Sequence, residues 1–345
     1  MWLSILRYRL LAILCLLCVQ HPLVAEDFER TETNNFFNDP IQPLASQALV
    51  LDIVSMQETA IAVGERGHIF SFKEQWQQVH SPTQALLTKV FLLTPSLGWA
   101  VGHDATILHT QNAGQSWQSQ MQSSRIEKPF LDVLFFDEQH GVAVGAYGLF
   151  YRTHNGGRSW ESEYHQELLF DEDIAYLEEL KNEDMTFYLS ERSTLLPHFN
   201  RIIALSDARL LMVGELGLVA VSHDLGQHWH KKKLTYEGSF FNAIEAGNAV
   251  YVMGLRGHLF KSSDLSTWQA IDLPIEATIN GVMALKDHGI RIVGNAGVII
   301  DVDLDDKSRL VQQRQGESVV AIAELSNGER WIAGNKGLAR LTENQ

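Results

Sequence analysis

The feature that most constrains the fold is a short segment that recurs seven times along the 345-residue chain. Each copy contains an apolar strand, a turn and a second alternating strand, as in VAVGAYGLFYRT from Val142, and the turn reads Gly-x-x-Gly in six copies, with Ala105 in place of the second glycine in copy two. The first glycines of the copies are Gly64, Gly102, Gly145, Gly214, Gly254, Gly294 and Gly334. Their spacings of 38, 43, 69, 40, 40 and 40 residues indicate a period near 40. This period is typical of β-propeller blades.

A further apolar segment precedes each copy and a short polar strand follows it, so each repeat has four strands. The chain is therefore predicted to be all-β, a seven-bladed β-propeller of four-stranded antiparallel blades. Glycine suits a two-residue turn with positive φ, and we expect such turns here. The seventh repeat has only three strands before residue 345. We expect an N-terminal strand, from about residues 35–46, to close this last blade.

Three turns between the third and fourth strands fit the pattern Ser/Thr-x-Asp/Asn-x-Gly-x-x-Trp, the Asp-box. We expect the Asn or Asp to accept backbone N–H bonds, the glycine to adopt positive φ, and the tryptophan to pack between neighbouring sheets. The residues in these roles are Asn112, Gly114 and Trp117 in the second blade, Asn155, Gly157 and Trp160 in the third, and Asp224, Gly226 and Trp229 in the fourth. The motif fastens the fold and carries no catalytic group.

The 69-residue spacing places one insertion, at about residues 161–200, between blades three and four. Leu169, Ile174, Leu177 and Leu180 recur there near helical spacing, with acidic residues between them. This pattern predicts a short amphipathic helix followed by a loop. Two interpretations remain open, namely a helix docked on its own propeller, and a mobile arm whose apolar stripe binds a partner.

The first 25 residues have the pattern of a secretory signal peptide. Two arginines precede an apolar run, Leu10–Val19, and a small residue, Ala25, precedes an acidic pair. We therefore expect cleavage near Ala25, a propeller domain over residues 26–345, and a periplasmic or secreted protein. The apolar run is shorter than the roughly 20 residues needed to span a bilayer, so no span is expected after cleavage. Both cysteines lie within this segment, which excludes disulfides in the mature domain.

The repeats resemble those of a known family. The VGxxG turns, the Asp-boxes and the seven-fold count look like the photosystem II assembly and stability factor propellers of cyanobacteria and chloroplasts. They are also similar to relatives in non-photosynthetic bacteria, often called BNR-repeat proteins. The resemblance implies a non-enzymatic factor that binds assembly intermediates of membrane proteins, partly through an arginine-rich patch. This chain has a net charge of −15, which differs from the basic patch of that family. The negative charge argues against nucleic acid as a partner. It also favours an envelope membrane complex over photosystem II as the partner.

In a propeller, the turns between second and third strands lie on the face that also carries the connections between blades. We call these turns the tips and this face the tip face. The insertion should open on the same face, so a protein partner is expected to bind there without a cofactor. The candidate partner-binding residues at the tips are Glu65, Arg66, His103, Asp104, Tyr147, Glu215, Arg256, Asn295, Asn335 and Lys336.

Residues of this sequence also have the chemistry of two other functional classes. Tip residues such as Glu65, Tyr147 and Glu215 have the chemistry of a glycan-binding or glycan-hydrolysing, sialidase-like site. However, arginines do not recur where a carboxylate-binding triad needs them, and no catalytic residue is assigned. A metal-dependent protein is the other class, because His228 and His230 form a His-x-His pair. His228 occupies a variable position of its turn, which normally faces solvent, so no metal site is predicted.

Overall fold

A computed structural model describes residues 41–287 and 289–342. The predicted signal peptide lies outside these residues. Within them, seven antiparallel sheets each contain consecutive strands in chain order. The innermost strands of neighbouring sheets pack side by side around a closed ring, with the first sheet against the seventh. The seven-bladed propeller and the helical insertion between blades three and four are therefore confirmed.

The strand bounds follow the repeats. Blades one to three contain β1 (Val50–Met56), β2 (Thr59–Gly64), β3 (Ile69–Phe72) and β4 (Trp76–Val79), then β5 (Leu87–Leu92), β6 (Gly98–Gly102), β7 (Thr106–Thr110) and β8 (Gln118–Met121), then β9 (Phe130–Phe135), β10 (Gly141–Gly145), β11 (Phe150–Thr153) and β12 (Glu161–Ser162). The insertion contains helices α1 (Asp171–Glu183) and α2 (Met185–Leu195). The second strand of each of these three blades is buried between its two neighbours in the sheet.

The remaining blades repeat the same order. Blades four to seven contain β13 (Phe199–Ala204), β14 (Leu210–Gly214), β15 (Val219–Ser222) and β16 (His230–Lys231), then β17 (Phe240–Ala246), β18 (Ala249–Gly254), β19 (Leu259–Ser262) and β20 (Gln269–Ile271), then β21 (Ile279–Ala284), β22 (Ile290–Gly294), β23 (Val298–Val302) and β24 (Ser308–Gln313), then β25 (Val319–Glu324), β26 (Arg330–Gly334) and β27 (Gly337–Leu341). Blade seven thus has three strands within the described residues.

The predicted closing strand differs from what the described residues form. Residues 41–44 form coil and a turn, and Ala45–Gln47 form a 3-10 helix that lies beside β27. Ala45 is buried among apolar residues of blades one and seven. This part of the segment therefore covers the seventh blade by packing, without a fourth strand, and the residues before 41 lie outside the described part of the chain.

Most tips also differ from the predicted two-residue turns, because those of blades one, three, four and five are longer loops, whereas blade seven keeps a two-residue turn with Gly334 paired to Gly337. In blade one, the N–H of Gly64 donates to the carbonyl of His68 (3.0 Å), four residues on. Gly64 has an extended φ of −170°, whereas Arg66 and Gly67 have φ of 52° and 70°. A Cβ on Gly64 would overlap the carbonyl oxygen of Leu49, where β1 bulges toward the tip. The first glycine is thus required by close backbone approach, and only the second by backbone conformation.

Buried ion pairs tie neighbouring innermost strands together. Asp132, on β9 of blade three, accepts hydrogen bonds from the backbone N–H of Ile202 (2.8 Å) and from Arg201 Nη1 (3.0 Å), both on β13 of blade four. Asp52 of blade one likewise accepts from the N–H of Val90 (3.0 Å) and from Lys89 Nζ (2.9 Å) of blade two. These carboxylates therefore lock blade one to blade two and blade three to blade four.

The three turns between third and fourth strands have the expected geometry. In each, the Asn or Asp Oδ1 accepts the backbone N–H four residues later at 2.9 Å. Their glycines have φ of 76°, 83° and 81°. Trp117 of blade two shares an apolar cluster with Ile61 of blade one, and Trp229 of blade four shares one with Val142 of blade three. Each turn thus fastens one blade to its neighbour through an aromatic face.

Candidate functional site

The tips and the connections between blades share one face of the ring. The second glycine of each of three tips lies against the carbonyl of a connecting residue, because a Cβ on Gly67, Gly217 or Gly297 would meet Thr83, Tyr236 or Arg314. The N–H of Gly217 also donates to the carbonyl of Gly238 in the connection (2.9 Å). These contacts hold each tip beside the neighbouring connection, so the candidate residues form one continuous surface.

All ten tip residues named from the sequence lie on this tip face, and none is fully buried. Glu65 and Glu215 are half-buried, and the other eight are exposed. Blade two has Ala105 in place of the second glycine, and its tip is a tighter turn with positive φ at Asp104 and Ala105. The tip face is therefore accessible at every blade.

The tips of blades three to five present large apolar side chains to solvent. Tyr147, Leu216 and Leu255 are 47%, 54% and 37% exposed. They occupy the x positions of three successive Gly-x-x-Gly tips. At these positions the sequence alone does not tell whether a side chain is exposed or buried. Exposed apolar side chains in a group are typical of protein interaction surfaces.

His198 connects the tips of blades three and four. Its ring packs edge-on against that of Tyr147, with centroids 4.5 Å apart. Its backbone N–H donates to Glu215 Oε2 (3.2 Å), and its Nδ1 lies 3.4 Å from Glu215 Oε1. Glu215 is therefore engaged in positioning the surface between these two blades.

The predicted apolar stripe of the insertion packs onto the propeller. Leu169 and Leu177 are 1% and 2% exposed and join the apolar core of blades three and four, with Ile174 packed against the same core. Leu180 is also buried. Helix α1 thus lies on its own propeller, with its acidic side turned outward.

A second helix, α2, lies where the sequence pattern predicts a loop, and it shares the outward surface of the insertion with the acidic side of α1. Asp184 caps this helix, because its Oδ1 accepts the backbone N–H of Thr186 (2.9 Å) and Phe187 (3.0 Å). Met185, Phe187 and Leu189 are about half exposed. The end of α2 packs on the tip of blade three, where Leu196 lies against Gly148. The exposed side chains of α2 therefore border the tip face.

A charged cluster fastens the start of the insertion to blades three and four. Buried Arg152 contacts Glu163 through Nε (2.5 Å) and donates to the carbonyls of two residues in the turn of blade four. His165 is buried with Nδ1 3.0 Å from Glu167 Oε1 and Nε2 3.4 Å from Glu163 Oε2. Glu167 also accepts the backbone N–H of Trp229 (3.3 Å). This cluster holds α1 in its docked position.

The protonation of this cluster follows from its burial and its charges. Burial lowers the pKa of His165, but hydrogen bonds and charges from Glu163 and Glu167 outweigh burial and raise it above the ordinary value. Burial raises the pKa of Glu163, and hydrogen bonds from His165 and Arg152 outweigh that effect and lower it to about 2. Protonated His165 between two carboxylates is therefore the favoured state at mildly acidic pH.

The histidines considered for a metal are arranged differently. His228 Nδ1 lies 2.7 Å from Asp224 Oδ2, while the ring of His230 lies 6.3 Å from that of His223, the other histidine of the same turn. Across residues 41–287 and 289–342, no group of three or more His, Cys, Asp or Glu side chains has an arrangement able to hold a metal ion. Of the helices in those same ranges, none combines the length and apolar content needed to cross a bilayer.

Comparisons with known proteins add to this geometry. No protein-family model matches the chain. The photosystem II assembly protein Ycf48 of Synechococcus sp. (strain JA-3-3Ab) is 36% identical over 63 residues, which are 18% of this chain. The match spans only 19% of that relative's own length. This likeness is local, so it does not carry the relative's activity over to this chain.

Two solved structures cover nearly the whole propeller. YCF48 bound to D1 peptide superimposes with a TM-score of 0.64 at 15% identity, over 88% of this chain and 96% of that one. YCF48 from Cyanidioschyzon merolae superimposes with a TM-score of 0.63 at 15% identity, over 87% and 97%. At this identity the likeness shows the shared fold. The chain is similar, in its propeller and in short stretches of sequence, to the photosystem II assembly factors that its repeats resemble.

Proposed function

We propose that this protein is a non-enzymatic scaffold that binds a membrane-protein partner through the tip face and the exposed side of α2. The observation that carries the proposal is the set of exposed apolar side chains on adjoining tips, Tyr147, Leu216 and Leu255, with Leu189 of α2 lining the same groove as Tyr147. When a partner covers such side chains, their removal from water lowers the free energy of the complex. The site of action is the periplasm or the cell envelope, a proposal supported by the signal-peptide pattern of the first 25 residues.

The class of partner is proposed by analogy with the structural relatives. One of them is YCF48 bound to D1 peptide. A propeller of the same architecture can therefore present a surface to a peptide segment. In this chain the equivalent partner is a protein of an envelope membrane complex, contacted through the tip face and the acidic insertion.

The alternative of a glycan-binding or glycan-hydrolysing propeller has less support. Glu215 is engaged by His198 rather than free to act as acid or base. The groove between the tip of blade three and α2 holds about 170 Å³. Small-molecule sites commonly have about 300–1,000 Å³. A binding scaffold therefore fits the tip face better than a catalytic site does.

The test compares two exposed leucines of blade four on opposite faces. Leu216 is at the tip, and Leu225 is in the turn between the third and fourth strands. We expect Leu216→Asp to lose a membrane-protein partner in affinity purification from the native envelope, and Leu225→Asp to retain it. Both variants should unfold at the wild-type temperature, since neither side chain is buried. Equal recovery by the two variants would refute the assignment to the tip face.

A further inference from the structure

A groove of about 170 Å³ lies between the tip of blade three and α2. Leu149, Phe150 and Leu189 supply its apolar wall, and Lys128 and Arg192 bring two cations to it. The groove exists only because the insertion returns across the tip, so it belongs to the surface that the proposed function assigns to the partner.

Arg192 has an unusual environment in this groove. Its guanidinium carbon lies 3.9 Å from the centroid of the Tyr164 ring. Arg192 Nε and the Tyr164 hydroxyl are both buried without a hydrogen bond of normal geometry. No acidic side chain in the described part of the chain pairs with this arginine. Buried N–H and O–H donors without acceptors cost free energy, so an acceptor that enters the groove would be bound favourably.

Lys128 adds a second cation. Its Nζ lies 5.7 Å from the centroid of the Tyr147 ring and donates to the carbonyl of Ser193. An ammonium has three N–H donors, so two remain available. Burial lowers the pKa of Lys128, consistent with the lack of an ion-pair partner for it among the described residues. Glu163 also lines the groove but is already paired with Arg152. The groove is thus cationic in a chain of net charge −15.

We propose that this groove binds a carboxylate carried by the partner, either an acidic side chain or a chain terminus, next to an apolar residue that packs on Leu189. Arg192 donates to the two carboxylate oxygens, and Lys128 and the Tyr164 hydroxyl supply further donors. A planar guanidinium matches a carboxylate in two-point contact. This inference rests on the proposed function and adds the chemical group that the partner presents.

The test is an NMR titration of the full chain that follows the Leu189 methyl groups. The probes are N-acetyl-leucine and its amide, which differ only in the carboxylate, and N-acetyl-glutamic acid α-amide, which carries a side-chain carboxylate. We expect both acids to bind, and the amide to bind at least roughly tenfold more weakly, as loss of a charge-assisted hydrogen bond predicts. The tighter of the two acids identifies the source of the carboxylate. Equal binding of N-acetyl-leucine and its amide would overturn the proposal.

Variants separate the groove from general charge effects. Arg192→Gln is expected to weaken N-acetyl-leucine binding by roughly tenfold. Arg158→Gln removes an exposed arginine of the same blade, on the opposite face, and should leave binding unchanged. Lys128→Gln keeps the stacking of Arg192 on Tyr164 and removes a different contact with α2, the hydrogen bond to the Ser193 carbonyl, so it gives an independent reading if Arg192→Gln disturbs the helix. Wild-type binding in both groove variants would contradict the proposal.

The two proposals fail in different ways. If the probes do not bind but the wild-type chain still recovers a partner that Leu216→Asp loses, only the carboxylate site is wrong. If the probes bind and Arg192→Gln weakens them while no partner is recovered, the carboxylate site stands and the scaffold role is wrong.

Discussion

Replacing Asp132 with alanine tests the blade-to-blade locks that hold the tip face in shape. Asp132 is fully buried, and its carboxylate accepts the N–H of Ile202 (2.8 Å) and two contacts from Arg201 Nη1 (3.0 and 3.1 Å). Loss of the acceptor for Ile202 alone costs about 1–3 kcal/mol. Breaking a buried ion pair costs about 3–5 kcal/mol. Because the Arg201 side chain is 25% exposed, water partly replaces the lost partner, and the total cost lies near the lower end of that range. We therefore expect a loss of about 3 kcal/mol.

Urea unfolding followed by tryptophan fluorescence measures this loss as a shift in midpoint at constant slope. Asp305→Ala is the control, because the Asp305 side chain is 78% exposed and its removal should change the free energy of unfolding by less than about 0.5 kcal/mol. Adding Arg201→Met to Asp132→Ala should recover part of the loss, since no unpaired charge then remains. A loss below about 1 kcal/mol in Asp132→Ala would refute the lock.

Three further predictions follow from the same structure. Gly64→Ala should lower the free energy of unfolding by at least about 3 kcal/mol in a urea titration, because its Cβ would overlap the Leu49 carbonyl, whereas Gly316→Ala, with open space around it, should cost about 1 kcal/mol. Leu177→Ala should destabilise the docked insertion by about 2–5 kcal/mol and speed hydrogen exchange in α1, and Leu189→Ala should not. The raised pKa of His165 contributes stability that is complete below pH 6.5 and lost as pH rises through the folded-state pKa. Protection factors of the α1 amides, in which the base-catalysed intrinsic exchange rate is divided out, should therefore fall from pH 6 to 9 in the wild type but not in His165→Phe.

The sequence predicted those parts of the fold that depend on local backbone chemistry. Seven turns at a period near 40, six of them with a glycine pair, are enough to count blades, and the Asn or Asp of each Asp-box turn bonds the N–H of a residue only four positions on. The role of Gly64 could not be read in the same way, because it depends on a bulge in β1 that brings the Leu49 carbonyl close. Local sequence pattern thus predicts the blades, whereas close approaches between strands depend on how the whole sheet folds.

The candidate site was less accessible to sequence reasoning for the same reason. Helix α2 lacks a clear apolar stripe, since its exposed Met185, Phe187 and Leu189 are spaced by two residues. Asp184 ahead of this segment was the available signal, as an N-cap residue. The contact of Asp132 with Arg201 joins residues 69 positions apart and depends on blade packing. Long-range pairs of this kind are set by the ring as a whole.

The most direct test of the scaffold role is site-specific photo-crosslinking in cells. A photoreactive amino acid replaces Leu216 on the tip face or Leu225 on the opposite face of the same blade, two positions with similar exposure. The account predicts a crosslink to a membrane protein from position 216, with none from position 225. Crosslinks to the same protein from position 225 alone would contradict it.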